Sequence, residues 1–229
     1  FGSDLSLFGG NILALLAACA LWGAGSIFLF KALQLLGSSE VTILSTLRVP
    51  ITIGASVLLL GEGFTPLNVL GAAIIIFATL LVIDFKQGFK INKGILYVLG
   101  LAVVGGFAII ADSVNVQSYD VIAYNMWSNL IIGVILLGVY PKALTGWKHF
   151  IEPGFLAKML PLGICSTVQG ILYLQALTYV GYTAQISTIR SASAIVVVIL
   201  AALLLRERNG LITKIIAALL VSLGVILLS

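Results

Sequence analysis

Ala176 to Leu228 reads ALTYVGYTAQISTIRSASAIVVVILAALLLRERNGLITKIIAALLVSLGVILL. Two apolar runs flank the short charged turn Arg206-Glu207-Arg208. Each is long enough to cross a bilayer, since about 20 apolar residues cover a hydrocarbon core of about 30 Å. The same layout stands earlier, from Ala32 to Ile83: ALQLLGSSEVTILSTLRVPITIGASVLLLGEGFTPLNVLGAAIIIFATLLVI. The two stretches lie about 145 residues apart. Ala32-Leu33 and Gly37 answer Ala176-Leu177 and Gly181, and Ser45-Thr46-Leu47-Arg48 answers Ser187-Thr188-Ile189-Arg190. Glu62 answers Glu207, and Ala72-Ala73 answers Ala217-Ala218. Shared Leu, Ile and Val carry no weight, because any two membrane helices share them. The Arg, Gly and Glu in one order carry it, and they indicate an internal repeat.

Composition sets the solvent. Hydrophobic residues make up 61% of the chain and charged residues 9%, where a soluble domain carries about 25% charged residues. The mean hydropathy is +1.21. This pattern is that of an integral, multi-pass membrane protein, and the expected location is a bacterial or archaeal cell membrane. The net charge of +4 does not signal nucleic acid, because the basic residues gather in loops as membrane anchors do. Cys19 and Cys165 both fall in apolar runs and read as buried small hydrophobes rather than a disulfide. No metal-ligand spacing is present, no cofactor is expected, and the one histidine, His149, falls in a loop.

Taken in order, the expected spans are Gly9 to Leu36, Val41 to Leu60, Leu67 to Ile83, Gly94 to Asp112, Val121 to Tyr140, Phe155 to Tyr179, Tyr182 to Leu205 and Leu211 to Leu228. The runs are continuous rather than alternating, which favours helices over a barrel. Gly61 to Pro66 is a turn built from breakers. Lys86, Lys90 and Lys93, then Lys142, Lys148 and Lys158, then Arg206, Arg208 and Lys214 gather on links that share one side in an eight-span chain. That side is expected to be the cytoplasm, with the C-terminus outside.

These residues resemble the drug/metabolite transporter superfamily, in its EamA-type branch. Leu60-Gly61-Glu62-Gly63 and Leu205-Arg206-Glu207-Arg208 stand where that family closes the fourth helix of each five-helix copy. Pro50 matches a proline often found in that helix, while its counterpart, near Ala194, is not proline. The resemblance covers nearly the whole chain. It implies an all-α integral membrane fold with an inverted internal repeat, of about eight transmembrane helices: the ten-helix fold minus two. The first copy, residues 1–85, has three spans, and the second, residues 94–229, has five. Either two helices precede Phe1 in a longer chain, the expected case, or the chain is an eight-helix variant. Ten-helix relatives place the C-terminus in the cytoplasm, opposite to the side given by the basic residues here.

Intramembrane charge is the first place to look for chemistry, because an Arg at a helix centre costs roughly 2.5–3.5 kcal/mol. Arg48 and Arg190 lie about two turns into spans two and seven. Two readings stand side by side: both face a water-filled cavity and hold an anionic group or an acid, or both snorkel to an interface. Lys31 reads as a snorkelling residue, Asp112 as a solvated helix end in preference to a proton-coupling carboxylate, and Glu62 and Glu207 as turn residues. The candidate substrate-binding residues are Trp22, Arg48, Asn125, Asn129, Gln169, Tyr173, Gln175 and Arg190, a few polar and aromatic groups set in apolar helices. Each amide or aromatic taken singly reads as ordinary helix packing, where a polar contact contributes about 0.6 kcal/mol; it is the set that makes a cavity an equal reading. Gly105-Gly106 and Pro161 read as bending points, and Ala184, Thr188 and Ala192 as a small-residue packing stripe.

The function expected is a secondary transporter of a small metabolite, such as an amino acid or related solute, working by alternating access. No nucleotide-binding Gly-Lys loop is present. The alternative is a non-transporting membrane scaffold or assembly protein. An enzyme is not expected, because His149 has no second histidine or serine partner placed for catalysis. The expected partners are the lipid bilayer, a small-molecule solute and, as one option, a second copy of the chain in a homodimer; nucleic acid is not among them.

Overall fold

The computed structural model describes residues 10–61, 63, 65–82, 93–146, 152–180, 196–204 and 210–228. Its helices are α1 (Ile12–Leu33), α2 (Ser38–Ser45), α3 (Arg48–Leu60), α4 (Pro66–Val82), α5 (Lys93–Asn115), α6 (Val121–Val139), α7 (Pro153–Val180), α8 (196–204) and α9 (Leu211–Leu228). A 3-10 turn, Pro141–Gly146, follows α6. Among the described residues there is no strand. Five segments are long and apolar enough to span a membrane: Ile12–Leu33, Ser38–Leu59, Lys93–Asn115, Val121–Val139 and Pro153–Tyr179. Pro66–Val82 and Leu211–Gly224 are shorter and also apolar. Large apolar side chains such as Leu58, Leu130, Val134 and Ile212 lie exposed, which costs nothing where the solvent is lipid.

The described helices group into two compact units, one from residues 1–23 and 111–181, the other from 24–110 and 182–229. Each unit draws on both of the halves expected from the repeat, and α1 and α5 each contribute to both units.

In the larger unit, span two is not one helix. It breaks at Thr46-Leu47, and Pro50 in the first turn of α3 is the reason. A proline ring has no N–H to give and collides with the carbonyl four residues back, here that of Thr46. The backbone crosses the break on tighter bonds: Thr46 N–H donates to Ile43 O (3.1 Å), Leu47 N–H to Leu44 O (3.2 Å) and Val49 N–H to Thr46 O (2.9 Å). Hydroxyls around the break return to the chain, Thr46 Oγ1 to Ile43 O and Thr52 Oγ1 to Arg48 O. Gly61 then ends α3 in the left-handed region, with φ 68°, and its N–H caps Ser56 O.

Helices α4 and α9 lie antiparallel. Gly71, early in α4, meets Gly224, late in α9, while Val82 and Leu211 pack on the same core at the other end. Ile75, Ala78, Ala217, Ala218 and Val221 fill the seam, joined by Ile43, Val49 and Ile53 from span two and Val198 from α8. A side chain at Gly224 would meet Gly71 O at 2.8 Å, so the two backbones touch. Lys214 in the first turn of α9 pairs with Glu40 in the first turn of α2 at 3.0 Å. The starts of α2 and α9 therefore share one end of this unit.

Helix α5 runs as one continuous helix through Gly105-Gly106. A side chain at Gly106 would meet Ile51 Cγ2 at 2.8 Å, so this glycine lets α3 approach α5. Lys31, in the last turn of α1, sits with its ammonium 5.4 Å from the centre of the Tyr97 ring. Cys19 is buried as expected, but Cys165 is exposed. Helix α7 presents most of its first four turns outward, so an apolar sequence there does not imply burial within the chain.

Candidate functional site

In the smaller unit, the end of α5 carries a carboxylate out of water. Asp112 is 3% exposed, not the solvated helix end expected, because α5 continues past it to Asn115. Burying an ionised carboxylate costs several kcal/mol unless donors replace the lost water, to order of magnitude. Trp22 and Tyr124 are among the groups that supply them. Trp22 Nε1–H is shared between Asp112 Oδ1 (3.1 Å) and Oδ2 (3.0 Å), and Tyr124 O–H donates to Oδ1 at 2.7 Å. Hydrogen bonds to a charged group contribute about 1.5–3 kcal/mol each.

Local sequence explains why those donors arrive there. Asp120 caps α6, accepting from the N–H groups of Ile122 (2.9 Å) and Ala123 (3.3 Å). The cap fixes the start of α6 and sets Tyr124 one turn in. Tyr119, in the connector, packs its ring 6.1 Å from that of Tyr124. Asn115, one turn beyond Asp112 on the same face of α5, donates from Nδ2 to Ala111 O (2.8 Å) and to Ala14 O (3.2 Å) on α1. Cys19, also on α1, directs its thiol toward Ser128 O at 3.9 Å.

The candidate residues divide. Trp22 holds Asp112 directly. Asn125, the residue after Tyr124, is buried and accepts at Oδ1 from Asn129 Nδ2 at 3.1 Å. It presses against α7, where a side chain at Gly170 would come within 2.6 Å of Asn125 Oδ1. Tyr173 on α7 is half-buried and is an electrostatic neighbour of Tyr124. Asn129 is exposed but tied to Asn125, while Gln169 and Gln175 are exposed. Arg48 belongs to the other unit, half-buried with its Cδ 3.9 Å from where a side chain on Gly105 would begin. Arg190 lies outside the described residues, as do Glu62, Glu207, His149 and the stripe of Ala184, Thr188 and Ala192.

Sequence reasoning sets Asp112 aside as a helix end and passes over Asn115. Their signal is present: apolar Val114 and Val116 follow the aspartate, so the span does not stop there. Among the described residues, no group of three His, Cys, Asp or Glu side chains could hold a metal. What the arrangement offers is a buried carboxyl group held by aromatic donors, inside largely apolar helices.

Among curated proteins, none matches this chain. The sequence profile of the EamA-like transporter family matches residues 3–84 and again 92–229. With apolar helices of membrane-spanning length and a match running nearly end to end, the chain belongs to the EamA-like transporter family, as an integral, multi-pass membrane protein.

Proposed function

We propose that this protein is a secondary transporter of a small metabolite, such as an amino acid or a related solute, and that it works by alternating access. Family membership supports transport of a small solute. The observation that carries the finer reading is the polar group at Asp112, Trp22 and Tyr124, placed in spans where unpaired polarity is costly. Asn125 and Tyr173 extend the same buried polar region toward α7. In this reading the inverted halves are residues 1–85 and 94–229, and the antiparallel seam of α4 with α9 supports that assignment.

Solute then moves without covalent chemistry. One conformation opens the polar region to one side, the other opens it to the opposite side, and differential binding sets the balance. The test is flux of labelled amino acids and related metabolites in liposomes containing the purified protein. Saturable movement of at least one solute is expected. Absence of movement across the panel, with folded protein in the membrane, would overturn the proposal.

A further inference from the structure

We propose that one face of α7 is a pairing surface, and that its occupant is the same face of a second copy of this chain in the same membrane. The inference does not depend on the transport reading.

Along α7, Leu162, Cys165, Gln169, Leu172 and Ala176 follow one another at intervals of three, four, three and four residues. That alternation is the contact row of two helices crossing at a shallow left-handed angle. Leu162 is 58% exposed and Leu172 is 61% exposed. Cys165 and Gln169 are exposed as well, and Ala176 is half-buried. Within its own unit α7 packs by a different side. Leu174 and Leu177 are buried there, and Gly170 faces Asn125. At about 100° per residue, the two sides lie roughly 120° apart around the helix. The row is therefore separate from the side that α7 uses within its own unit.

Lipid suits the leucines but not the glutamine. Gln169 stands near the middle of the apolar stretch Pro153–Tyr179. Among the described residues its amide has no hydrogen-bond partner. An unpaired amide at that depth is costly, because hydrocarbon offers neither donor nor acceptor. The chemistry of the amide selects the partner. It carries an acceptor oxygen and two N–H donors, so it is complementary to itself. Two copies related by a twofold axis along the membrane normal bring the same residue to both sides of the contact. Each Gln169 then donates to the oxygen of the other. A carboxylate or an ammonium group would repel its own image instead. A single polar residue in such a row also fixes register and partner number.

The test uses the intact chain in liposomes. The chain has two cysteines, Cys19, which is buried, and Cys165, which is exposed. Brief oxidation with copper phenanthroline should link two copies through Cys165, and Cys165→Ala should abolish the linked dimer. In the Cys165→Ala background, Leu172→Cys, on the row, should restore the link. Leu160→Cys, on the far side of the helix, should not. Equal linking at positions 160, 165 and 172 would mean chance collision and would overturn the proposal. So would the absence of any Cys165 link as protein density rises. Energy transfer between copies fused to donor and acceptor fluorescent proteins reads the strength of pairing. Gln169→Leu, an exposed change that leaves the fold intact, should raise the protein density at half-association by about three- to tenfold. Gln169→Asn, which keeps an amide, should stay near the unaltered value. An unchanged midpoint in Gln169→Leu would overturn the role of the amide. Loss of solute flux in Gln169→Leu with pairing intact would assign the amide to a solute path and sink the pairing face. Weakened pairing with flux retained supports it and leaves the transport reading standing.

Discussion

Lys214 and Glu40 meet at 3.0 Å, joining the first turn of α9 to the first turn of α2. The lysine side chain is 8% exposed and the glutamate 31%. Removing one partner strands the other partly buried. Glu40→Gln should lower stability by about 1–3 kcal/mol, less than a fully buried pair because the glutamate is partly exposed. The double variant Glu40→Gln with Lys214→Met should recover most of that loss. A double-mutant cycle in detergent reads the coupling; additive effects would remove the pair from the account.

Gly224 sits where α9 touches α4. Gly224→Ala places a methyl 2.8 Å from Gly71 O and 2.9 Å from Ile75 Cγ1. The helices must part, at a cost of about 1–3 kcal/mol. Gly133→Ala on α6 meets nothing within 4 Å and should be neutral or stabilising by up to about 1 kcal/mol. Paired melting curves test the contrast.

Pro50 holds span two apart. In Pro50→Ala the new amide can donate to Thr46 O and close the gap between α2 and α3. The amide of residue 50 should then exchange slowly with solvent, and the 3-10 bond from Val49 to Thr46 should be replaced. Hydrogen exchange resolved by residue measures this; fast exchange at position 50 would show that the break has another cause.

Tyr124→Phe removes the 2.7 Å bond to Asp112 with little change of shape. A loss of about 1.5–3 kcal/mol is expected, as for a bond to a charged acceptor. Trp22→Phe should cost at least as much, because the indole N–H serves both carboxylate oxygens. Combined with Asp112→Asn, the Tyr124→Phe loss should shrink, and equal losses in both backgrounds would deny the link.

Hydropathy locates the spans because length and polarity are local properties. The run expected at Leu67 to Ile83 is helix Pro66–Val82, and the breakers at Gly61 and Pro66 do end and begin helices. Three features were not legible. Pro50 marks a family pattern, but the break it causes falls four residues earlier, at Thr46-Leu47. Gly106 reads only as a point of compliance, and only the side chain of Ile51 opposite shows it to be a close contact. Asp112 looks solvated because its donors, Trp22 and Tyr124, lie 90 and 12 residues away in sequence. A single chain of letters gives polarity directly, but partners across such distances come only from the fold.

Where Gly71 and Gly224 bring two main chains into contact, nothing as thick as an acyl tail can slip between α4 and α9. That seam is therefore closed to lipid and to cargo alike.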